Sequence, residues 1–201
     1  MSMQLVPEQL EIIHYPHPTL RHLSKPVVRV DATLKQVIQQ MFVLMYEARG
    51  IGLATNQVNL PLRFFVVNLA ADPDEGEEMV FINPVISRPK GHEEHEEGCL
   101  SMPGVNADVK RPEQIHVQAY DLAGNLFDQT VDGMLSRVIQ HETDHLDGVL
   151  FTDKLTDTKT MAVADELYEL EVAFESAQGT GSIPDNAAIQ EWIAAIEKTY
   201  A

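Results

Sequence analysis

Two histidines stand four positions apart in the segment IQHETDHLDG (139–148), and a glutamate follows the first of them. Four residues make about one turn of an α-helix, so His141 and His145 would lie on one face. This H-E-x-x-H spacing presents two imidazoles to one metal ion and places the carboxylate of Glu142 beside the open coordination position. The pattern also arises by chance on charged helices. Here the apolar residues just upstream predict a buried helix, in which unpartnered histidines and glutamate would be costly. The segment therefore predicts a metal site.

This motif supplies only two ligands, whereas a catalytic zinc site usually has three from the protein. No histidine follows His145, and the acidic residues downstream belong to an exposed-looking segment. Upstream, EEGCLSMPG contains Cys99, the only cysteine. A lone cysteine is more often a small buried hydrophobe, but a thiolate suits a divalent transition metal. The overlapping segment GHEEHEEGC also offers His92 and His95, which we interpret as part of a solvated polar turn because glutamates surround them.

A third segment, GIGLATNQV (50–58), combines two glycines with a glutamine. Gly50 and Gly52 would let the backbone approach a ligand closely. The G-x-G-x-x-G pattern is absent and no phosphate-binding lysine follows, so a nucleotide loop is not predicted. A helix end followed by a turn would explain Gly50 but not Gly52 and Gln57 together. The pattern alone leaves their role open.

Hydrophobic periodicity predicts the elements that must position these residues. Asp31 can cap the first helix and Asp132 the helix that carries the two histidines, while the acidic stretch between the first two strands reads as a loop. The predicted elements are helices at 31–49, 157–176 and 186–199 and one after Asp132, strands at 62–69 and 79–87, and a β-hairpin over 113–132.

Composition limits the classes of function. The 201 residues, 44% of them hydrophobic, suit one domain with a substantial core. The formal charge of -17, from 14 basic and 31 acidic residues, argues against binding to nucleic acid or to anionic membranes. No apolar run approaches the ~20 residues that span a bilayer, and the start lacks a signal-peptide pattern. With a single cysteine no internal disulfide is possible, so we expect a cytoplasmic protein.

The segments GIGLATNQ, EGCLS and QHETDHLDG resemble, in this order, the three motifs of the peptide deformylases. YPHPTLR and GVLFTD are also similar to that family, so the resemblance covers about residues 10–155. It implies an α+β fold in which antiparallel β-sheets pack around a central helix with the H-E-x-x-H motif. The chain would then divide into a deformylase-like metallohydrolase domain at 1–155 and an acidic helical C-terminal extension at 156–201.

The resemblance also implies the reaction and its participants. The family removes the formyl group from N-formylmethionine of nascent polypeptides and releases formate, so the expected partner is a formylated peptide at the ribosome exit. The expected cofactor is one divalent ion per chain, Fe(II) in the cell, with Zn(II) or Ni(II) possible in purified protein. We favour a monomer. By position, the metal ligands are Cys99, His141 and His145, the general acid/base is Glu142, the oxyanion donors are Gln57 and the backbone N–H of Leu100, and the residues lining the peptide cleft are Ile51, Gly52 and Gly98.

The chemistry of these residues agrees with that reaction. A bound ion lowers the pKa of its water to roughly 7. Glu142, adjacent to a ligand, can take the proton of that water and pass it to the leaving amine. An amide N–H from Gln57 and a backbone donor can stabilise the oxyanion that forms on the formyl group. Glycines beside the site suit a narrow slot that admits only a small acyl group.

Two of the departures from the family pattern bear on the choice of peptide. Arg137 occupies a position that is usually apolar and lines the methionine pocket, and Asn106 falls near a position that often carries arginine. Both leave the peptide preference open. We expect Arg137 either to point into the cleft, where it could pair with an acidic substrate residue, or to extend outward to solvent. Some members of the family carry a basic C-terminal helix that contacts ribosomal RNA. The acidic tail of this chain could not make the same electrostatic contact. Since every candidate site residue precedes position 146, we expect truncation after Ser176 to spare the chemistry.

Two alternatives remain at this point. A zinc endopeptidase would use the same helix, but a convincing third ligand downstream is missing and EGCLS would have no role. A paralogue could keep the site as a binding or assembly module. The intact Gln57, Cys99 and Glu142 argue against that reading.

Overall fold

The computed structural model describes residues 5–201; residues 1–4, which the predicted first domain includes, lie outside the described part. One α-helix precedes seven β-strands along the chain, and four α-helices follow them. The helices are α1 (Ala32–Glu47), α2 (Gly133–Leu146), α3 (Asp157–Ala162), α4 (Ala164–Thr180) and α5 (Asn186–Tyr200), and the strands are β1 (Gly52–Ala54), β2 (Phe64–Val67), β3 (Met79–Lys90), β4 (Glu93–Cys99), β5 (Met102–Arg111), β6 (Gln114–Tyr120) and β7 (Leu126–Asp132).

Two antiparallel sheets form the β structure. Five strands pair in the order β1-β2-β3-β6-β7, and β4 pairs with β5 in a separate two-stranded ribbon. The predicted hairpin is present as β6 and β7. Strand β2 is buried on both faces: Phe64 and Val66 join one core cluster with α1, whereas Phe65 and Val67 join another with α2. The α+β fold with antiparallel sheets around a central helix is thereby confirmed.

Helix α1 begins as the sequence predicts and ends differently. The Asp31 carboxylate accepts a hydrogen bond from the Leu34 N–H at 2.9 Å, which caps the first turn. At the other end Arg49 takes the left-handed conformation (φ 57°), and Gly50 only closes the turn by donating to the Met45 carbonyl at 2.8 Å. Gly50 therefore follows the end of the helix, as the sequence predicts, but Arg49 and not the glycine takes the left-handed conformation.

Helix α2 is the most deeply buried helix among the described residues, with ten of its 14 residues buried. It starts at Gly133, which has φ 55°. Asp132 precedes it in an extended conformation, but its side chain makes no capping hydrogen bond, so the predicted cap is absent. The helix is held by packing of Val138, Ile139 and Leu146 against the five-stranded sheet instead.

The segment predicted to be a solvated polar turn is strand β4. It pairs with β5 from Glu93↔Arg111 through Gly98↔Asn106. Side chains alternate across a strand, so Glu97 points inward and is buried while its neighbour Glu96 is exposed. The prediction of a turn was wrong because Glu has low intrinsic strand preference, which the tertiary environment overrides here.

The C-terminal helices differ in how they attach. Helix α4 contains no buried residue and ends at Thr180, four residues beyond the predicted end at 176, with Gly181 (φ 77°) as its C-cap. Helix α5 buries Ile189, Ile193, Ile196 and Tyr200, the last two within the α1 core cluster. The division of the chain at residue 155 stays a prediction. Among residues 5–201, no helix combines the length and apolar character that a bilayer crossing requires.

Truncation after Ser176 should lower stability strongly while sparing the chemistry. The deletion removes three buried isoleucines and a buried tyrosine. Large core side chains contribute on the order of 2–5 kcal/mol each when truncated, so the loss should exceed ~4 kcal/mol. Denaturant unfolding measures the loss, with Glu191→Lys on the exposed face of α5 as the control. An unchanged unfolding midpoint would show that α5 does not belong to the core, and lost activity in a folded truncation would show that α5 builds the site.

Candidate metal centre and active-site cleft

The three predicted metal ligands converge. Cys99 is the last residue of β4, and His141 and His145 lie one turn apart on α2. The Cys99 Sγ is 3.2 Å from Nε2 of His145, and the two imidazole centroids are 5.0 Å apart. One ligand atom from each residue lies within 4.8 Å of the other two. In the described residues this is the only such group of three or more His, Cys, Asp or Glu side chains, and His92 and His95 do not take part.

A buried carboxylate orients the first histidine. Oε2 of Glu97 accepts a hydrogen bond at 3.0 Å from Nδ1 of His141, which leaves Nε2 of that ring for a metal ion. Arg111 holds the same carboxylate through Nε and a terminal nitrogen, at 2.6 and 2.8 Å. Burial opposes ionisation of Glu97, but the bonds from His141 and Arg111 outweigh it and hold its pKa well below the usual range. Sequence reasoning missed Glu97, although it belongs to the EGCLS motif.

The second histidine is suited to bind a metal as a neutral ring. Burial lowers the pKa of His145 well below its ordinary value, which disfavours the imidazolium. A ligand must offer an unprotonated nitrogen, so this environment favours coordination. Two imidazole nitrogens and one sulfur match the donor sets of zinc and other late first-row metals. The residues present therefore fit a single divalent ion.

Glu142 lies beside the ligands and is buried. Burial raises its pKa to about 7, against the opposing effect of the nearby positive charges. Oε2 has no hydrogen-bond partner among the described side chains and backbone. Oε1 faces Gly52, where a Cβ would lie 2.5 Å from that oxygen and 2.8 Å from Val138 Cγ1. A side chain at position 52 would displace the carboxylate, which explains the glycine.

Gln57 points its amide nitrogen at the ligand group. It lies in a 3-10 helix, Thr55–Val58, that follows β1. Its Oε1 accepts a hydrogen bond from the Ala54 N–H at 2.8 Å, and its Nε2 donates to the Cys99 Sγ at 3.4 Å. The bond to Ala54 fixes the orientation of the amide, so the NH₂ group faces the site.

These groups stand at the wall of a cleft of about 710 Å³. Its lining includes Ile51, Gly52, Gly98 and Leu100, as the resemblance implies. Leu100 lies in the turn between β4 and β5, and its side chain packs where a Cβ on Gly50 would come within 2.6 Å of it. At the other wall a Cβ on Gly98 would be 2.5 Å from Oδ1 of Asn106. Because these glycines have no side chain, the walls of the cleft can approach closely without closing it.

Arg137 lines the cleft and does not extend outward to solvent, so only the second of the two predicted orientations is excluded. Its side chain is 4% exposed, and one terminal nitrogen donates to Oε1 of Glu97 at 2.5 Å and to the Val109 carbonyl at 3.1 Å. The other donates to the Glu93 carbonyl at 3.1 Å. The guanidinium therefore binds the ribbon of β4 and β5 and does not reach bulk solvent, while the residue forms part of the cleft lining.

The fold and the site together define a metal-dependent hydrolase, with a Cys-His-His ligand set and a carboxylate on the helix that carries the histidines. The family model described as polypeptide deformylase matches residues 9–161. A peptide deformylase of Rhodopirellula baltica is 50% identical over 191 residues, 95% of each chain, and one of Pseudomonas aeruginosa is 43% identical over 159 residues, 79% of this chain and 94% of the relative. The crystal structure of a plant peptide deformylase superposes with a TM-score of 0.85 at 38% identity, covering 92% of this chain and 98% of that one. This chain belongs to the polypeptide deformylase family.

Proposed function

We propose that this chain hydrolyses the formamide of N-formylmethionine at the start of nascent polypeptides and releases formate and the free amine. The observation that carries the proposal is the convergence of Cys99, His141 and His145 beside Glu142 at the wall of a peptide-sized cleft. In this assignment the three converging residues hold the ion. When bound, the ion supplies Lewis acidity: it polarises a carbonyl and lowers the pKa of a water molecule.

Glu142 moves the proton. Its carboxylate accepts one proton from the attacking water as the oxygen adds to the formyl carbon, and it delivers that proton to the nitrogen as the C–N bond breaks. A pKa of about 7 suits a group that must both accept and donate near neutral pH. Gly52 leaves the carboxylate the space in which to turn between the two positions.

Two donors stabilise the negative oxygen that develops on the formyl group. Nε2 of Gln57 already faces the ligand group, with its orientation set by Ala54. The backbone N–H of Leu100, directly after Cys99, is the second donor. In comparable sites one such donor contributes on the order of 3 kcal/mol to transition-state stabilisation. The methionine and following residues occupy the cleft lined by Ile51, Gly52 and Gly98.

Formate release from formyl-Met-Ala-Ser, measured beside cleavage of the same unformylated peptide, tests the proposal. We expect formate from the first and no cleavage of the second. An endopeptidase would cleave internal peptide bonds in both. A binding module would bind the formylated peptide without releasing formate, and either result would overturn the proposal.

We further propose that the reaction takes place in the cytoplasm, on chains emerging from the ribosome, and that the protein is a monomer. The charge of -17 supports association through the peptide substrate and not through a basic contact with ribosomal RNA. Sedimentation of the purified chain tests the monomer, and cell fractionation tests the compartment.

Iron should be the ion of the active enzyme in the cell. Fe(II) binds such a site more weakly than later metals do, so protein purified in air should carry zinc or nickel. Anaerobic reconstitution with Fe(II) should give the higher kcat/KM, and this form should lose activity in air because a thiolate ligand beside a redox-active metal is open to oxidation. Zinc does not change its oxidation state, so the zinc form should persist. Equal kcat/KM for both forms, with metal content verified, would refute the assignment of iron.

A further inference from the structure

Arg137 belongs to a buried group of charges that includes a ligand histidine. The Glu97 carboxylate accepts four hydrogen bonds: two from Arg111, one from Arg137 and one from Nδ1 of His141. The side chains of Arg111, Arg137 and Glu97 are 2%, 4% and 5% exposed, so solvent cannot replace a lost partner. Removing one member of such a network therefore affects those that remain.

The same guanidinium also joins the two elements that carry the ligands. Arg137 is on α2, one turn before His141. Its hydrogen bonds to the Glu93 and Val109 carbonyls reach β4 and β5, and β4 ends at the third ligand, Cys99. The relative position of thiolate and imidazoles depends on how the ribbon sits on the helix. Arg137 fixes that position with three hydrogen bonds, two of which are buried.

We propose that Arg137 is a positioning residue for the metal site. It holds Glu97 in the orientation that aligns His141, and it binds the ribbon of β4 and β5, which carries Cys99, to α2. It does not read the charge of the substrate. Its charge faces Glu97, whereas Arg49 is the exposed guanidinium among the residues lining the cleft. All three hydrogen bonds of the guanidinium go to Glu97 and to two strand carbonyls, so we assign its effect to the ligands that it orients.

Arg137→Met tests this inference, because methionine keeps an unbranched stem and removes every donor. Partners that orient metal ligands typically change metal affinity by about 10–100-fold when mutated. We expect a loss in this range for Zn(II) and Co(II), measured by competition with a chelator, and a changed visible absorption spectrum of the Co(II) form. The kcat of the loaded enzyme should fall while KM for formyl-Met-Ala-Ser stays near the wild-type value.

Arg137→Lys retains one cationic donor and should lose less affinity than the methionine variant. If the methionine variant fails to fold, the metal affinity of the lysine variant tests the proposal. Arg63→Met is the matched control, since Arg63 is a largely buried arginine whose ion pair with Asp147 lies outside the lining of the cleft. This control should keep the wild-type affinity and Co(II) spectrum.

A double-mutant cycle shows whether the effect passes through Glu97. In the Glu97→Gln background the carboxylate is already lost, so adding Arg137→Met should cost clearly less than it costs in the wild type. Fully multiplicative losses would overturn the proposal, as would wild-type metal affinity in both Arg137 variants. A changed ratio of kcat/KM between formyl-Met-Ala and formyl-Met-Glu peptides would assign Arg137 to substrate recognition instead. The proposal rests on the proposed function only for kcat and KM: a wild-type chain that releases no formate would refute that function and leave the metal-affinity series to decide this one.

Discussion

Replacing Glu142 with glutamine should give a protein that keeps its metal ion and releases formate at least about 100-fold more slowly than the wild type. Glutamine has nearly the same shape and fits the space that Gly52 leaves beside the side chain. Its amide cannot accept the proton of the attacking water or return one to the amine. General acid–base groups contribute about 10²–10⁴-fold to rates, which sets the expected loss.

Metal analysis and formate release on the same sample separate metal binding by the helix from proton transfer by Glu142. Glu96→Gln is the matched control, since Glu96 lines the same cleft, is exposed and should leave kcat near normal. A Glu142→Gln enzyme with more than about a tenth of the wild-type kcat would exclude Glu142 as the general base.

Replacing Cys99 with serine should weaken metal binding by more than the ~100-fold that partners of ligands can account for. A hydroxyl is a harder donor than a thiolate and is rarely deprotonated, so it replaces sulfur poorly at a late transition metal. The two histidines would remain, but a pair of imidazoles alone holds an ion weakly. The loss should appear for zinc, nickel and iron alike.

Chelator competition measures this loss, and Cys99→Ala serves as the reference that offers no donor at all. Both variants should fold, because Cys99 contributes only a small partly buried side chain to the core. Full metal occupancy together with activity in the serine variant would remove Cys99 from the ligand set and reopen the search for the third ligand.

The site was predictable from sequence where its residues are close along the chain. The four-residue spacing places His141 and His145 on one face only if the segment is helical, and the apolar residues before them indicate a helix. The order of three short motifs then joins Gln57 and Cys99 to that helix. The structure brings these residues together as the resemblance implies.

The partners of buried charges were not predictable. Glu97 reads as one more glutamate in an acidic stretch, and its three buried partners lie 14, 40 and 44 positions away. No local pattern indicates that pairing, so the sequence predicts a polar turn where the structure has the strand that contains Glu97. For the same reason the sequence does not predict that Arg137 pairs with Glu97. Likewise, the apolar spacing of α5 predicts a helix but not the core cluster it joins.

Strand β4 carries charge on both faces and pairs with β5 alone, so in the described residues its second edge is unpaired. Exposed strand edges invite pairing between separate molecules, which is a common first step of aggregation. Here a second copy adding to that edge would bring the two acidic rows EEHEE against each other, and like charges directly opposite are destabilising. The strand that ends at Cys99 thus resists self-association, and the protein should stay dispersed at high concentration with its cleft accessible. Salt, which screens the repulsion, should weaken this effect.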